Sequence, residues 1–307
     1  MEKTPLKHYW NYKTVNQLPY MNPTSLLILL TGMLFFISCS KEESFEKKKA
    51  DDDNKGPLLV KTTMQPSGAS YLVTATFKYD DKKRLLNVKN DYEGIVNEPY
   101  SEQESSFIRN DKGMINTITD IWNIYDEDNN LLWRDSVALN LNFTPEGKYT
   151  YGIRIFLDTD NKKIRDSIAY EYNSKGRISQ VKIFRKMGDN NEYKDFQNTG
   201  YMYDEKENIT TITVRFFEND PDPQQVINFQ YNDKISPMNF KDEALLNGFL
   251  MDGFNTPHCL TGIRDLTEPE NNWDMSYDEY NKSEKPVKGT YINLSTQEKI
   301  NFTYFYQ

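Results

Sequence analysis

A nine-residue pattern recurs along this chain at intervals near thirty residues, and such a recurrence constrains architecture before any single residue is weighed. Five segments align without gaps: Phe77-Lys-Tyr-Asp-Asp-Lys-Lys-Arg-Leu85, Phe107-Ile-Arg-Asn-Asp-Lys-Gly-Met-Ile115, Leu141-Asn-Phe-Thr-Pro-Glu-Gly-Lys-Tyr149, Tyr170-Glu-Tyr-Asn-Ser-Lys-Gly-Arg-Ile178 and Tyr201-Met-Tyr-Asp-Glu-Lys-Glu-Asn-Ile209. A sixth begins Phe229-Gln-Tyr-Asn-Asp-Lys234 and then diverges, and a degenerate seventh surrounds Tyr280-Asn-Lys-Ser-Glu-Lys-Pro286. The first six starts lie 30, 34, 29, 31 and 28 residues apart.

Each unit reads as a β-hairpin. Two large side chains, two positions apart, share one face of a strand. The Asp or Asn that follows accepts backbone hydrogen bonds and starts a turn. Gly113, Gly147 and Gly176 supply the positive φ a tight hairpin needs. Between the turns, Tyr149, Tyr151, Ile153, Ile155 and Leu157 alternate with Thr150, Gly152 and Arg154, and Ile212, Val214 and Phe216 with Thr211, Thr213 and Arg215. Such alternation marks an antiparallel sheet with one buried face. The opposite connections are acidic, as in Asp126-Glu-Asp-Asn-Asn130 and Asp158-Thr-Asp-Asn161. One segment departs from the two-residue period: Phe240, Leu245, Leu246, Phe249, Leu250 and Met251 follow a helical spacing, which predicts a short helix over 239–252. The expected fold is all-β, an antiparallel meander of consecutive hairpins with about 12–14 strands, curved or curling into an open barrel.

Ahead of the repeats stands an export address. The apolar block Leu26–Ile37 has twelve residues, too few for a membrane helix and right for a signal-peptide core. Lys3, Lys7 and Lys13 precede it, and either Met1 or Met21 can serve as the start. Phe36-Ile-Ser-Cys39 resembles a bacterial lipobox, in which a small residue precedes the cysteine that is lipidated and becomes the mature N-terminus. Cleavage then falls between Ser38 and Cys39. Ser40-Lys-Glu-Glu43 resembles the surface-export signal of Bacteroidetes lipoproteins. Residues 1–38 are thus the signal peptide, 39–56 a lipidated N-terminus with a charged linker, and 57–307 the repeat domain. The linker, as a flexible chain, reaches roughly 20–25 Å, and its several acyl chains make a durable anchor.

Charge and rare residues exclude whole classes. Residues 1–38 carry a net +2 of the chain's −9, leaving −11 on the mature protein, which speaks against nucleic acid. Cys259 is then the only cysteine besides Cys39, and His258 the only histidine. No internal disulfide and no multi-histidine metal site can form within one chain. His258 and Cys259 are neighbours, so on a strand they point to opposite faces; the reading favoured is an incidental pair. Asp158-Thr-Asp-Asn161 begins like a calcium loop, but Lys163 and Ala169 stand where glycine and glutamate belong. No catalytic set, cofactor or metal is expected. Trp122, Trp133 and Trp273 are the indoles whose exposure bears on sugar stacking. Asp135-Ser136-Val137 and Asp166-Ser167-Ile168 resemble the Bacteroidetes O-glycosylation acceptor, which marks Ser136 and Ser167.

The Y-x-Y-[DN]-x-x-G-[RK]-[IL] unit resembles the YD repeats of Rhs-type proteins. Over residues 58–307 the chain is similar to Bacteroidetes surface lipoproteins of unknown function built from such hairpins, which also share Tyr231-Asn-Asp-Lys-Ile-Ser-Pro237. That resemblance implies a non-catalytic binding module on the outer membrane, held by its lipid and exposed at the cell surface, with glycan or an envelope protein as partner. The alternatives carry their own signatures: a large apolar patch for an assembly component, a continuous apolar cavity for a lipid carrier, clustered carboxylates in a cleft for a hydrolase.

Overall fold

A computed structural model gives the structure of residues 56–67, 72–93, 100–126, 128–157, 162–187, 192–217, 225–239 and 256–307. Ser38, Cys39, the signal peptide and the linker to residue 55 lie outside the described residues, as does the expected helix apart from Asn239. The described chain is a closed antiparallel barrel in which every strand pairs with its sequence neighbours. The strands are β1 (Leu59–Pro66), β2 (Leu72–Tyr79), β3 (Leu85–Glu93), β4 (Ser101–Arg109), β5 (Ile115–Tyr125), β6 (Leu131–Phe143), β7 (Tyr149–Leu157) and β8 (Lys163–Tyr172). They continue as β9 (Ile178–Met187), β10 (Lys194–Tyr203), β11 (Ile209–Phe216), β12 (Gln225–Ile235), β13 (His258–Asp265), β14 (Trp273–Tyr280), β15 (Pro286–Asn293) and β16 (Lys299–Tyr306). A one-turn 3₁₀ helix, Pro269–Asn271, sits between β13 and β14.

The all-β meander matches the expectation, with sixteen strands rather than twelve to fourteen and a sheet that closes. The repeats account for the difference. Seven units make seven hairpins, β2–β3 through β14–β15. An eighth unit is divided between the chain ends. Tyr304-Phe-Tyr306 supplies its first half on β16 and Leu59 its return strand on β1, paired Leu59↔Tyr306. The same pairing with the same register shift recurs as Tyr79↔Leu85, Tyr172↔Ile178 and Tyr203↔Ile209. Leu58 and Gln307 exchange both backbone hydrogen bonds at 2.9 Å across that junction.

The turn chemistry is as the sequence demands. Asn110 Oδ1 accepts the backbone N–H groups of Lys112 and Met114 at 3.0 Å each, and Asn173 Oδ1 those of Lys175 at 2.9 Å and Arg177 at 3.0 Å. The residue two positions before the return strand is left-handed: Gly113, Gly147 and Gly176, and equally Lys83, Glu207 and Glu284 where glycine is missing. This is a type I turn followed by a bulge residue in the left-handed region.

The second aromatic of the unit has a polar role as well. The Tyr79 hydroxyl donates to the Leu59 carbonyl at 2.6 Å, Tyr172 to Tyr149 at 3.0 Å, Tyr203 to Ile178 at 2.7 Å, Tyr231 to Ile209 at 2.7 Å and Tyr306 to Pro286 at 2.7 Å. Each bond ties the end of an even strand to the start of the odd strand before it. Where the unit has Arg109 in place of tyrosine, the guanidinium makes the equivalent bond to the Leu85 carbonyl at 2.9 Å.

Side-chain parity then separates inside from outside. Ala75, Val88, Ile168, Ile178, Val181 and Ile209 are fully buried. In a single-layered wall such residues can only face inward, where side chains of the barrel cover them. The interior is therefore packed with apolar side chains. On β2–β4 the outward parity is polar: Thr74 and Thr76 on β2, Lys89 and Asp91 on β3, Glu102 and Glu104 on β4, with Lys89 Nζ 2.7 Å from Glu102 and 3.0 Å from Asp91. On β7 and β9 it is apolar: the alternation of Tyr151, Ile153 and Ile155, expected to mark the buried face, marks the outer one together with Phe184, because Arg154 and Arg185 turn inward to Asp166. Lys182 pairs with Glu171 at 2.6 Å and Lys288 with Glu279 at 2.8 Å on other parts of that surface. A charged side chain facing acyl chains at mid-bilayer costs roughly 2–4 kcal/mol.

Candidate functional site

The barrel has two unlike ends. Tight turns join β2–β3, β4–β5, β6–β7, β8–β9, β10–β11 and β14–β15 at one end, the turn end, where the chain also enters at Gly56. Lys285 Nζ donates to the Pro57 carbonyl there at 2.9 Å. The described ends of the β12–β13 connection, Ser236–Asn239 and Thr256–Pro257, lie at the turn end too, and the remaining connections gather at the loop end. Toward the turn end the interior is apolar. Toward the loop end, on the arc from β3 to β10, the inward positions turn polar: Asn90, Gln103, Ser105, Asp120, Asp135, Arg154, Asp166, Arg185 and Gln197.

Register builds the first part of this arc. Asn90, Gln103, Trp122 and Asp135 are directly opposite one another on four successive strands, and Ser105 lies opposite Asp120. Residues so placed share a face with Cβ atoms about 5 Å apart. Gln103 Nε2 donates to both Asp120 oxygens at 3.1 and 3.0 Å, and Ser105 Oγ donates to Oδ1 at 2.8 Å. Asn90 Nδ2 donates to Gln103 Oε1 at 3.4 Å. Tyr92, buried, stacks on half-buried Trp122 with ring centroids 5.6 Å apart. Burial pushes the Asp120 carboxyl up to about 6, and Asp135 acts in the same direction, against the hydrogen bonds from Ser105 and Gln103. Among the described residues the Asn90 side-chain carbonyl oxygen and the Tyr92 hydroxyl are buried without a hydrogen-bond partner.

The second part is an ion triad. Asp166, fully buried, accepts from Arg154 Nε at 3.0 Å, and from Arg185 Nε at 2.9 Å and Nη2 at 3.1 Å. Both guanidiniums lie 5.4 Å from the centre of the Phe156 ring, and Arg185 lies 3.4 Å from that of Phe196. Both arginines are thereby committed to Asp166 and to aromatic faces.

The residues singled out from the sequence fall elsewhere or are divided. His258 Nδ1 lies 3.1 Å from Asn208 Oδ1, while buried Cys259 donates its thiol to the Ile235 carbonyl at 3.1 Å. Burial pushes that thiol up to about 12, away from any nucleophilic role. In Asp135-Ser136 and Asp166-Ser167 the aspartate points inward and the serine outward; Ser136 is exposed and Ser167 half-buried between Ile153 and Phe184. Trp122 belongs to the polar arc, Trp273 is buried, and Trp133 is 48% exposed at the loop end. Asp158–Asn161 lies outside the described residues. A cleft with room for about one water molecule opens at the turn end beside Ser236, Met238, Thr256 and Tyr277. Sequence reasoning missed Asn90, Gln103, Asp120 and the Arg154–Asp166–Arg185 triad as interior residues. The available signal was polar side chains at the in-phase positions of apolar strands, as in Ile118-x-Asp120-x-Trp122.

No protein family and no curated protein matches this chain. Solved structures do. A porin-like protein from Bacteroides uniformis superposes with a TM-score of 0.51 at 12% identity, covering 81% of this chain and 98% of that one. A porin-like protein from Bacteroides vulgatus covers 82% of this chain and 99% of its own, at 13% identity and a TM-score of 0.41. The first likeness establishes a porin-like barrel fold, which the strand order shows independently.

Proposed function

We propose that this chain is a non-catalytic cell-surface lipoprotein, tethered through Cys39, whose water-facing barrel binds a glycan at its loop-end mouth. The observation that carries the reading is the outer face of β2–β4, where Lys89, Asp91, Glu102 and Glu104 form a charged surface over an apolar interior: a barrel wall of that kind is built to stand in water. Such a domain needs a separate hold on the membrane, and the lipobox-like Phe36-Ile-Ser-Cys39 supplies one. The tether enters at the turn end, so the loop end faces away from the anchor. There the Tyr92–Trp122 stack lies beside Asn90, Gln103, Asp120 and Asp135, a combination of apolar face and hydrogen-bonding groups suited to a sugar. A lipid carrier would need a continuous apolar cavity, whereas buried apolar side chains pack the described interior toward the turn end.

Two experiments test it. Residues 57–307, produced without detergent, are expected to be monodisperse and rich in β structure; recovery only in detergent would defeat the water-facing barrel. Cys39→Ala should abolish incorporation of labelled palmitate and release the protein from the membrane fraction. A second reading, an assembly component of the envelope, is favoured by Leu131, Leu132 and Trp133, three successive residues exposed by 50, 54 and 48% at the start of β6. Site-specific cross-linking from Leu132 in intact cells tests that reading.

A further inference from the structure

We propose that the inward face of β3–β6 near the loop end is a binding site for a primary ammonium group, borne by an amino sugar or a comparable small amine. The inference rests on the binding-module reading and narrows its ligand. It begins with charge. Asp120 and Asp135 are both inward on paired strands, Asp135 opposite Trp122 and Asp120 opposite Val137, which makes them diagonal neighbours on one face, and among the described residues neither forms an ion pair. The two nearest inward arginines on the arc, Arg154 and Arg185, are held by Asp166. Two neighbouring carboxylates, Asp120 buried and Asp135 half-buried, call for a positive partner.

The uncharged groups agree on the sign. Asn90 and Tyr92, 2 and 4% exposed, turn an unpartnered carbonyl oxygen and an unpartnered hydroxyl into the same region. Buried polar atoms of this kind mark a missing partner. The orphan amide atom is an acceptor, as are both carboxylates, and an ammonium offers three donors and no acceptor. The Tyr92–Trp122 stack adds aromatic faces that attract a cation. Trp122 and Asp135 are only half-buried, which leaves an approach from the loop end. A neutral sugar would satisfy the orphan atoms and leave the charge of the carboxylates uncompensated.

The test is calorimetric titration of the purified full chain at neutral pH with glucosamine, N-acetylglucosamine, glucose and ethanolamine. Glucosamine is expected to bind at least about tenfold more tightly than glucose or N-acetylglucosamine, which differ from it at one substituent. Ethanolamine binding as tightly as glucosamine identifies the site as one for simple amines; weaker binding identifies an amino-sugar site. Asp135→Asn, at a half-buried position the fold tolerates, should remove the preference, and the isosteric Asp120→Asn should do the same. Equal or tighter binding of the neutral sugars would overturn the ammonium site and leave a glycan-binding barrel in place. Absence of heat with every probe would overturn the site, while the palmitate and detergent tests decide the lipoprotein reading separately.

Discussion

Lys83, Glu207 and Glu284 occupy the turn position where three sister units carry glycine, and all three hold φ between 58° and 76°. A side chain there meets steric strain that glycine avoids. Glu284→Gly should therefore stabilise the barrel by about 0.5–1 kcal/mol, even after loss of the 3.3 Å contact with Lys234, which is solvent-exposed and worth little. A denaturant midpoint unchanged or lowered by the substitution would contradict this. Asp120 makes a pH prediction. Its carboxyl titrates at about 6 in the folded barrel against an ordinary 3.8. The folded state then holds more protons than the unfolded one between those values. Stability therefore falls as pH rises through that window, with the loss complete above the folded value. The difference amounts to roughly 3 kcal/mol at most. Asp120→Asn should be the more stable protein at pH 7.5, and the gap should close as the pH nears 4. Parallel curves for both proteins would show that Asp120 does not titrate in this way.

At the scale of the hairpin, the recurring tyrosine hydroxyl is the point where repeat units are joined. Tyr203→Phe removes the donor to the Ile178 carbonyl while keeping the ring, and is expected to cost about 1–2 kcal/mol. Phe143 is the one unit member at this position with no polar atom, and Phe143→Tyr should regain part of that amount. Equilibrium unfolding of both variants checks the pair, and equal midpoints for wild type and Tyr203→Phe would reduce the hydroxyl to an ornament of the core. The hairpins themselves were legible because a turn is a local device: Asn or Asp, two polar residues and a left-handed position set it within five residues. The tyrosine bond was not, because its acceptor is a backbone carbonyl some 20–25 residues away that carries no sequence mark.

For the whole molecule, closure depends on the eighth unit. Deleting residues 299–307 removes β16 and leaves β1 and β15 as bare edges, each a template for pairing with another chain. The truncated protein is expected to aggregate and to lose its cooperative thermal transition; a monomer with a sharp transition would show the seam to be dispensable. The expected 12–14 strands fell at least two short of sixteen because β1 and β16 are half-units, although Tyr304-Phe-Tyr306 already shows the first positions of the pattern. The site was less legible still. Asn90, Gln103, Trp122 and Asp135 are separated by 13 to 19 residues in sequence and stand in line only once four strands are in register.

The sequence by itself determined the hairpin, its turn and the two-residue alternation of faces, all of which are set by interactions within a few residues. Tertiary structure alone decided that the meander closes through its own ends, that β3 and β4 turn their charges outward while Arg154, Asp166 and Arg185 face inward, and that Asp120 and Asp135 share one inward face. The reason is that closure and the meeting of side chains across strands depend on long-range pairing, and a period of two residues fixes which positions share a face but not whose face they meet.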